Sequence, residues 1–156
     1  MATDLAEVAR HSDEVTARAR AELVRAVRKA AAQGMTQSQI ARTIGRSQPE
    51  VSRLLRFHGT TPLARNLRRN ADQIRRLVAE AGGTQVRVFG SVAAGTDEPG
   101  SDVDLLFVMR QPLSLMQLGR LEQQASELLD APVDLVPESA LLPDLRERVY
   151  SEAVSL

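Results

Sequence analysis

The hydrophobic period of this chain changes once, at Gly82-Gly83, and that change limits what it can fold into. Before the glycine pair, apolar residues recur every three or four positions. After it, QVRVFG (85–90) alternates, VDLLFVM (103–109) is almost wholly apolar, and PVDLV (132–136) is a further short β-rich run. A 3.6-residue period belongs to helices and a two-residue period or a short apolar run to strands. The expected fold is α+β: an all-α first part, then a small mixed sheet flanked by helices.

Local signals divide the helical part. Ser12 precedes a stretch from 13 to 33 in which Val15, Ala19, Leu23 and Val27 share one face, and Gly34 stops it as a C′ glycine would. Residues 5–10 either extend this helix or fray. Thr36 and Gln39 have capping-box spacing, as do Ser47 and Glu50, and Pro49 occupies the first turn of the second short helix. Ile40, Ala41 and Ile44, then Val51, Leu54 and Leu55, give each short helix an apolar face. Two short capped helices joined at Gly45 read as a helix-turn-helix. Thr60-Thr61-Pro62 is a turn, followed by one amphipathic helix over 62–81. Leu115–Leu129 and Leu141–Tyr150 are expected helices. The predicted domains are a helix-turn-helix over 1–59 and an α+β domain over 60–156.

Composition narrows the class. The 156 residues contain no cysteine, which excludes disulfides, thiolate metal sites and cysteine nucleophiles. No apolar run is long enough to span a bilayer and the N-terminus lacks a signal sequence, so the expectation is a cytoplasmic protein with no membrane partner. The formal net charge of zero conceals an asymmetry: residues 1–80 carry fifteen Arg/Lys and eight Asp/Glu, residues 81–156 five and twelve. A basic half points to a nucleic-acid contact.

The stretch GSVAAGTDEPGSDVD (90–104) raises the sharpest chemical question. Asp102 and Asp104 are two apart at the start of an apolar strand, so both carboxylates project from one face. If PVDLV pairs beside that strand, Asp134 joins them. Clustered carboxylates repel unless a cation lies between them. Mg²⁺, a hard ion held by carboxylates and substrate phosphates, suits the set. Gly90-Ser91, at a tight turn entering a helix, offers backbone N–H groups and a hydroxyl to phosphate. Asp97, Glu98, Asp130 and Asp144 read as solvated surface groups, and Tyr150 as a packing residue.

These residues resemble a known family. Gly90-Ser91, ten residues, then Asp102-Val103-Asp104 is similar to the G-S-x(10)-D-x-D signature of the nucleotidyltransferase superfamily that includes DNA polymerase beta. FGS, SDVDLLF and VDLV resemble the minimal nucleotidyltransferases in particular, over about 62–156. The resemblance implies that Asp102, Asp104 and Asp134 are catalytic and bind Mg²⁺ (or Mn²⁺). It further implies that Gly90 and Ser91 hold the triphosphate of ATP or another NTP. Many members carry a basic residue before the glycine of the turn; here it is Ala94, which implies weaker activity or a different substrate. Larger relatives that modify antibiotics or RNA carry an added substrate domain. Minimal ones act with a partner, often as antitoxins of HEPN-type toxins, some by transferring AMP onto the toxin. A cognate toxin partner is therefore implied, with a catalytically inactive, toxin-sequestering repressor as the alternative.

TQSQIARTIGRSQPEVSRLL resembles bacterial helix-turn-helix repressors. In such modules the start of the second helix enters the major groove. Candidate base readers are Ser47, Gln48, Pro49, Glu50, Ser52 and Arg53, and Arg42, Arg46 and Arg56 suit phosphates. Operator DNA as a partner and a homodimer are expected on this resemblance. A three-helix packing domain is the plainer reading of the same residues.

Overall fold

The computed structural model describes residues 2–156, with side chains from Asp4 onward. The chain divides into two units, Met1–Leu55 and Arg56–Leu156.

The first unit is three helices: α1 (Ala2–Ala32), α2 (Gln37–Ile44) and α3 (Gln48–Leu55). Gln33-Gly34 closes α1, with Gly34 at φ 96°. Thr36 caps α2 reciprocally with Gln39: the Gln39 N–H donates to Thr36 Oγ1 (3.2 Å) and the Thr36 N–H to Gln39 Oε1 (2.9 Å). Gly45, at φ 67°, ends α2 in the left-handed region that glycine enters without strain. Ser47 Oγ accepts the Glu50 N–H (3.3 Å) at the start of α3. Val27, Ile40, Ala41, Val51 and Leu54 form the buried core. The apolar face expected along α1 is buried only toward its C-terminal end: Val27 is 2% exposed and Leu23 partly covered, while Val15 is 50% exposed.

The second unit carries a four-stranded mixed sheet in the order β3-β2-β1-β4. Its strands are β1 (Gly83–Phe89), β2 (Val103–Met109), β3 (Val133–Pro137) and β4 (Val154–Ser155). β2 pairs antiparallel with β1 and parallel with β3. Helices α4 (Pro62–Arg69), α5 (Ala71–Glu80), α6 (Gly90–Ala94), α7 (Leu115–Leu129) and α8 (Pro143–Glu152) complete it. Alternation along β2 sends Val103, Leu105 and Phe107 into the main core with Leu67, Ile74, Val78, Leu121 and Leu129. Leu106 faces the other way, into a smaller cluster with Leu141 and Val149. The sheet thus has one deeply packed face and one lightly covered face, and the lightly covered face carries the polar groups.

Two sequence expectations change. The single helix over 62–81 is broken at Asn70, whose side-chain amide donates to the Asn66 carbonyl (2.9 Å) and to Asn66 Oδ1 (3.0 Å). A short amide side chain competes for the helix's own carbonyls, which is why Asn weakens helix interiors. The last helix begins at Pro143 rather than Leu141, because a 3₁₀ turn at Glu138–Ala140 intervenes.

β3 is an edge strand, and α7 covers that edge. The Val133 N–H donates to Ser126 Oγ (3.0 Å) and the Leu135 N–H to Glu122 Oε1 (3.1 Å), one on each side of Asp134. Ser126→Ala is expected to cost about 1–2 kcal/mol, because it leaves a part-buried N–H without a partner. Urea unfolding of the two proteins measures it.

Candidate active site

β1 ends and α6 begins at Phe89-Gly90. The antiparallel register sets Phe89 opposite Asp104, and the parallel register sets Asp104 opposite Asp134. Residues directly across a ladder share a face. Two carboxylates from strands thirty residues apart in sequence therefore stand side by side next to the Gly-Ser turn. Asp104 is half-buried, and Asp102, in the loop before β2, and Asp134 are exposed.

Gly90 lies directly against Asp104. At φ 74°, a Cβ built on it would lie 2.3 Å from Asp104 Oδ2 and 3.2 Å from Asp104 Cγ. Glycine is required twice over, by the backbone angle and by the carboxylate beneath it. Ser91, the next residue, is half-buried in the first turn of α6. Phe89 provides no side-chain cap to that turn.

The loop between α6 and β2 is pinned at both ends. Thr61, the cap of α4, donates its hydroxyl to Asp97 Oδ2 (2.8 Å), so Asp97 is a structural anchor rather than the solvated group its loop context suggested. The Glu98 N–H donates to Ser101 Oγ (2.8 Å) and the Ser101 N–H to the Glu98 carbonyl (2.9 Å), closing a tight turn just before Asp102.

The electrostatics follow from this placement. The Asp104 carboxyl is pushed up to about 6, first by burial, then by the charges of Asp134 and Asp102, with a side-chain hydrogen bond to Asp134 adding to the effect. Among the described residues none of the three aspartates forms a salt bridge. The donor set is all oxygen, uncompensated, and partly desolvated, which fits a hard divalent cation. Among the described residues no three acidic, His or Cys side chains converge into a ready-made ion cage. An ion here would be held by these carboxylates together with phosphate oxygens, the ligand type that Mg²⁺ prefers.

The raised carboxyl has a sign that can be checked. Asp104 binds its proton more tightly in the folded than in the unfolded chain, where an aspartate titrates near ~3.9. The resulting stabilisation is complete below that value and is lost as pH rises through about 6. With chelator present, wild type is expected to lose about 1 kcal/mol from this group between pH 4 and 6, the solvent exposure of the carboxyl limiting the effect. Asp104→Asn should lack that loss. Urea midpoints of both proteins across this range measure the difference.

Arg87 is a residue that sequence reasoning passed over. It sits on β1 opposite Leu106, on the same sheet face as Asp104 and two residues up the ladder. It pairs with Glu138, lies 5.3 Å from the centroid of the Tyr150 ring, and leaves its Nε buried without a hydrogen-bond partner. The signal was present: in QVRVFG the arginine alternates with core valines, so it points to the opposite face of a sheet with little cover there.

The candidate base and phosphate contacts of the first unit are placed as follows. Arg42, Arg46, Ser47, Gln48, Pro49 and Arg53 are exposed, and Glu50 and Ser52 partly so. Glu50 pairs with Arg46 at 3.9 Å. Arg56 belongs to the second unit, where it bridges Ser155.

The second unit is thus a small mixed sheet flanked by helices, with paired strand carboxylates beside a glycine-serine turn. A known structure described as a minimal nucleotidyltransferase superposes on 64% of this chain and all of its own, with a TM-score of 0.55 and 38% identity. The nucleotidyltransferase domain model matches residues 71–156, and the chain belongs to that family of enzymes. A candidate protein adenylyltransferase of Methanocaldococcus jannaschii is 30% identical over 91 residues, covering 56% of this chain and 98% of that protein. A crystal structure of a toxin-antitoxin pair with AMP-PNP covers 55% of this chain and 71% of its own, with a TM-score of 0.51 and 25% identity. Among the described residues no helix is long and apolar enough to cross a membrane.

Proposed function

We propose that this nucleotidyltransferase is an antitoxin that transfers a nucleotide, AMP from ATP in the simplest case, to a hydroxyl of a partner toxin. The observation that carries the reading is the contact geometry of Gly90, Asp104 and Asp134 in one corner of the sheet. Gly90 and Ser91 bind the β- and γ-phosphates of the NTP. Asp102 and Asp104 hold Mg²⁺ or Mn²⁺, and Asp134 shares in holding it. An ion held there would supply charge neutralisation for the transferring phosphoryl group. Asp134 draws the proton from a Tyr, Ser or Thr hydroxyl of the toxin. That oxygen attacks the α-phosphorus and pyrophosphate leaves. The adenylyltransferase name of the archaeal relative and the nucleotide in the toxin-antitoxin crystal support this assignment of substrate and partner.

The test is the intact mass of the candidate toxin after incubation with this protein, Mg²⁺ and each NTP in turn. Added mass matching whole nucleotidyl units, from one NTP, establishes the reading. Unchanged mass with every NTP, while the two proteins still co-elute, overturns it in favour of toxin sequestration without catalysis.

A second role in the same protein is supported by the exposed start of α3. Gln48 and Arg53 are exposed, and Arg42 and Arg46 flank them with positive charge. Here α3 reads operator DNA from the major groove, with Ser47, Pro49, Glu50 and Ser52 along the same edge. Arg53→Ala is expected to weaken operator binding by about tenfold or more, from the ~1–3 kcal/mol of a base contact. Electrophoretic mobility shift on the promoter DNA of the protein's own gene measures this.

A further inference from the structure

Helix α1 is 31 residues long, about 46 Å. Only its C-terminal third packs into the first unit, through Leu23, Val24 and Val27. Every residue from Asp4 to Glu22 is exposed. Most helical stability in proteins comes from packing of an amphipathic face, and no residue of this arm is buried. Yet it is not polar all round. Leu5 is 75% exposed, Val8 59% and Val15 50%. With Ser12, Ala19 and Leu23 they recur at steps of three or four residues and make one narrow stripe along the arm. The stripe runs directly into the partly covered Leu23, so the exposed seam and the packed end of the helix are continuous.

The charges beside the stripe are segregated along the helix. Residues 4–14 carry Asp4, Glu7, Asp13 and Glu14 against Arg10 alone. Residues 15–25 carry Arg18, Arg20 and Arg25 against Glu22 alone. Among the described residues none of these side chains takes part in a salt bridge. A parallel pair of such helices would set acidic segment on acidic segment and basic on basic. An antiparallel pair sets each acidic segment against the other copy's basic one. An antiparallel pair of identical helices has a two-fold axis, which is the closed symmetry of an isologous dimer.

We propose that the arm Asp4–Glu22 is a self-association helix that pairs antiparallel with the same segment of a second copy of this chain. Leu5, Val8 and Val15 form the seam, and Asp4, Glu7 and Glu14 meet Arg20, Arg18 and Arg10 of the partner copy. This does not depend on which reaction the second unit performs, nor on DNA binding.

Sedimentation equilibrium of the full chain is expected to give twice the 17.0 kDa chain mass, and Val8→Asp/Val15→Asp to give 17.0 kDa. The absence of cysteine allows a second test that leaves the rest of the seam native. Leu5→Cys and Ala19→Cys proteins, treated with a short bis-maleimide, should cross-link when mixed and not when each is treated alone. Expected masses together with mixed-only cross-linking establish the pairing. A wild-type mass of 17.0 kDa at every concentration, or a dimer left intact by the double substitution, overturns it. Cross-linking of each single variant with itself overturns the antiparallel arrangement.

Discussion

Asp104→Asn is expected to lower nucleotidyl transfer at least about a hundredfold, the scale of losing several kcal/mol of charge stabilisation at the transferring phosphate. The side chain keeps its size, so its contacts with Gly90 are preserved. The charge is lost at the one aspartate that touches the glycine turn and hydrogen-bonds Asp134. Folding should not suffer. Removing one of three mutually repelling carboxylates relieves the burial and repulsion that push Asp104 up, so the cation-free variant should be at least as stable as wild type near neutral pH. Loss of transfer with retained or increased stability is a signature that a structural role would not give. Intact mass of the acceptor reads the first quantity and urea unfolding the second. Transfer within tenfold of wild type would remove Asp104 from the chemistry.

Gly90→Ala is expected to act in the opposite sense on stability and the same sense on activity. The new methyl would need the space of Asp104 Oδ2, 2.3 Å away, at a backbone φ of 74° that non-glycine residues adopt only with strain. The sum of strain and displacement is about 2–4 kcal/mol. The carboxylate must swing away, taking it out of register with Asp134. Transfer should fall about as far as in Asp104→Asn. Gly95→Ala is the informative control. It also has positive φ, 75°, but its built Cβ meets nothing within 4 Å. It should share the strain and keep the activity, which separates the backbone cost from the carboxylate clash.

The two variants follow from how the site is assembled. Neither the turn nor the strand holds the geometry alone. Gly90 is placed by β1, Asp104 by β2 and Asp134 by β3, and the loop carrying Asp102 is tied to α4 through Thr61 and Asp97. The site lies on the lightly covered face, while the opposite face is filled by the main core. Arg87, paired with Glu138 and packed on Tyr150, is the cation of this unit's open face that lies nearest the carboxylates along the ladder.

Much of this was legible in the residues alone. β2 spans Val103–Met109 as its apolar run predicts, and the α7 range Leu115–Leu129 follows from its period. Thr36 and Gln39 make the capping box that their spacing announces, and Gly45 ends α2. These are local properties: side-chain period, cap chemistry and glycine's freedom at positive φ act within a few residues, so they can be read from a few residues. The same reasoning set Asp104 beside the Gly90-Ser91 turn, but it put Asp102 on the strand, whereas that residue lies in the loop before β2.

Tertiary structure decided the rest. That β3 lies parallel beside β2, with Asp134 opposite Asp104, depends on pairing between segments about thirty residues apart. β4, two residues long, exists only because β1 offers it an edge, and so carries no periodic signal of its own. Asn70 breaks a helix whose apolar period continues past it, because its amide found a carbonyl one turn back. Period told that Val15 and Val27 share a side of α1 but not that one is exposed and the other buried. The physical reason is common to β3, β4 and α1: backbone propensity and pattern fix which elements form, whereas partner and register are settled by burial and hydrogen bonding between groups that the sequence sets far apart.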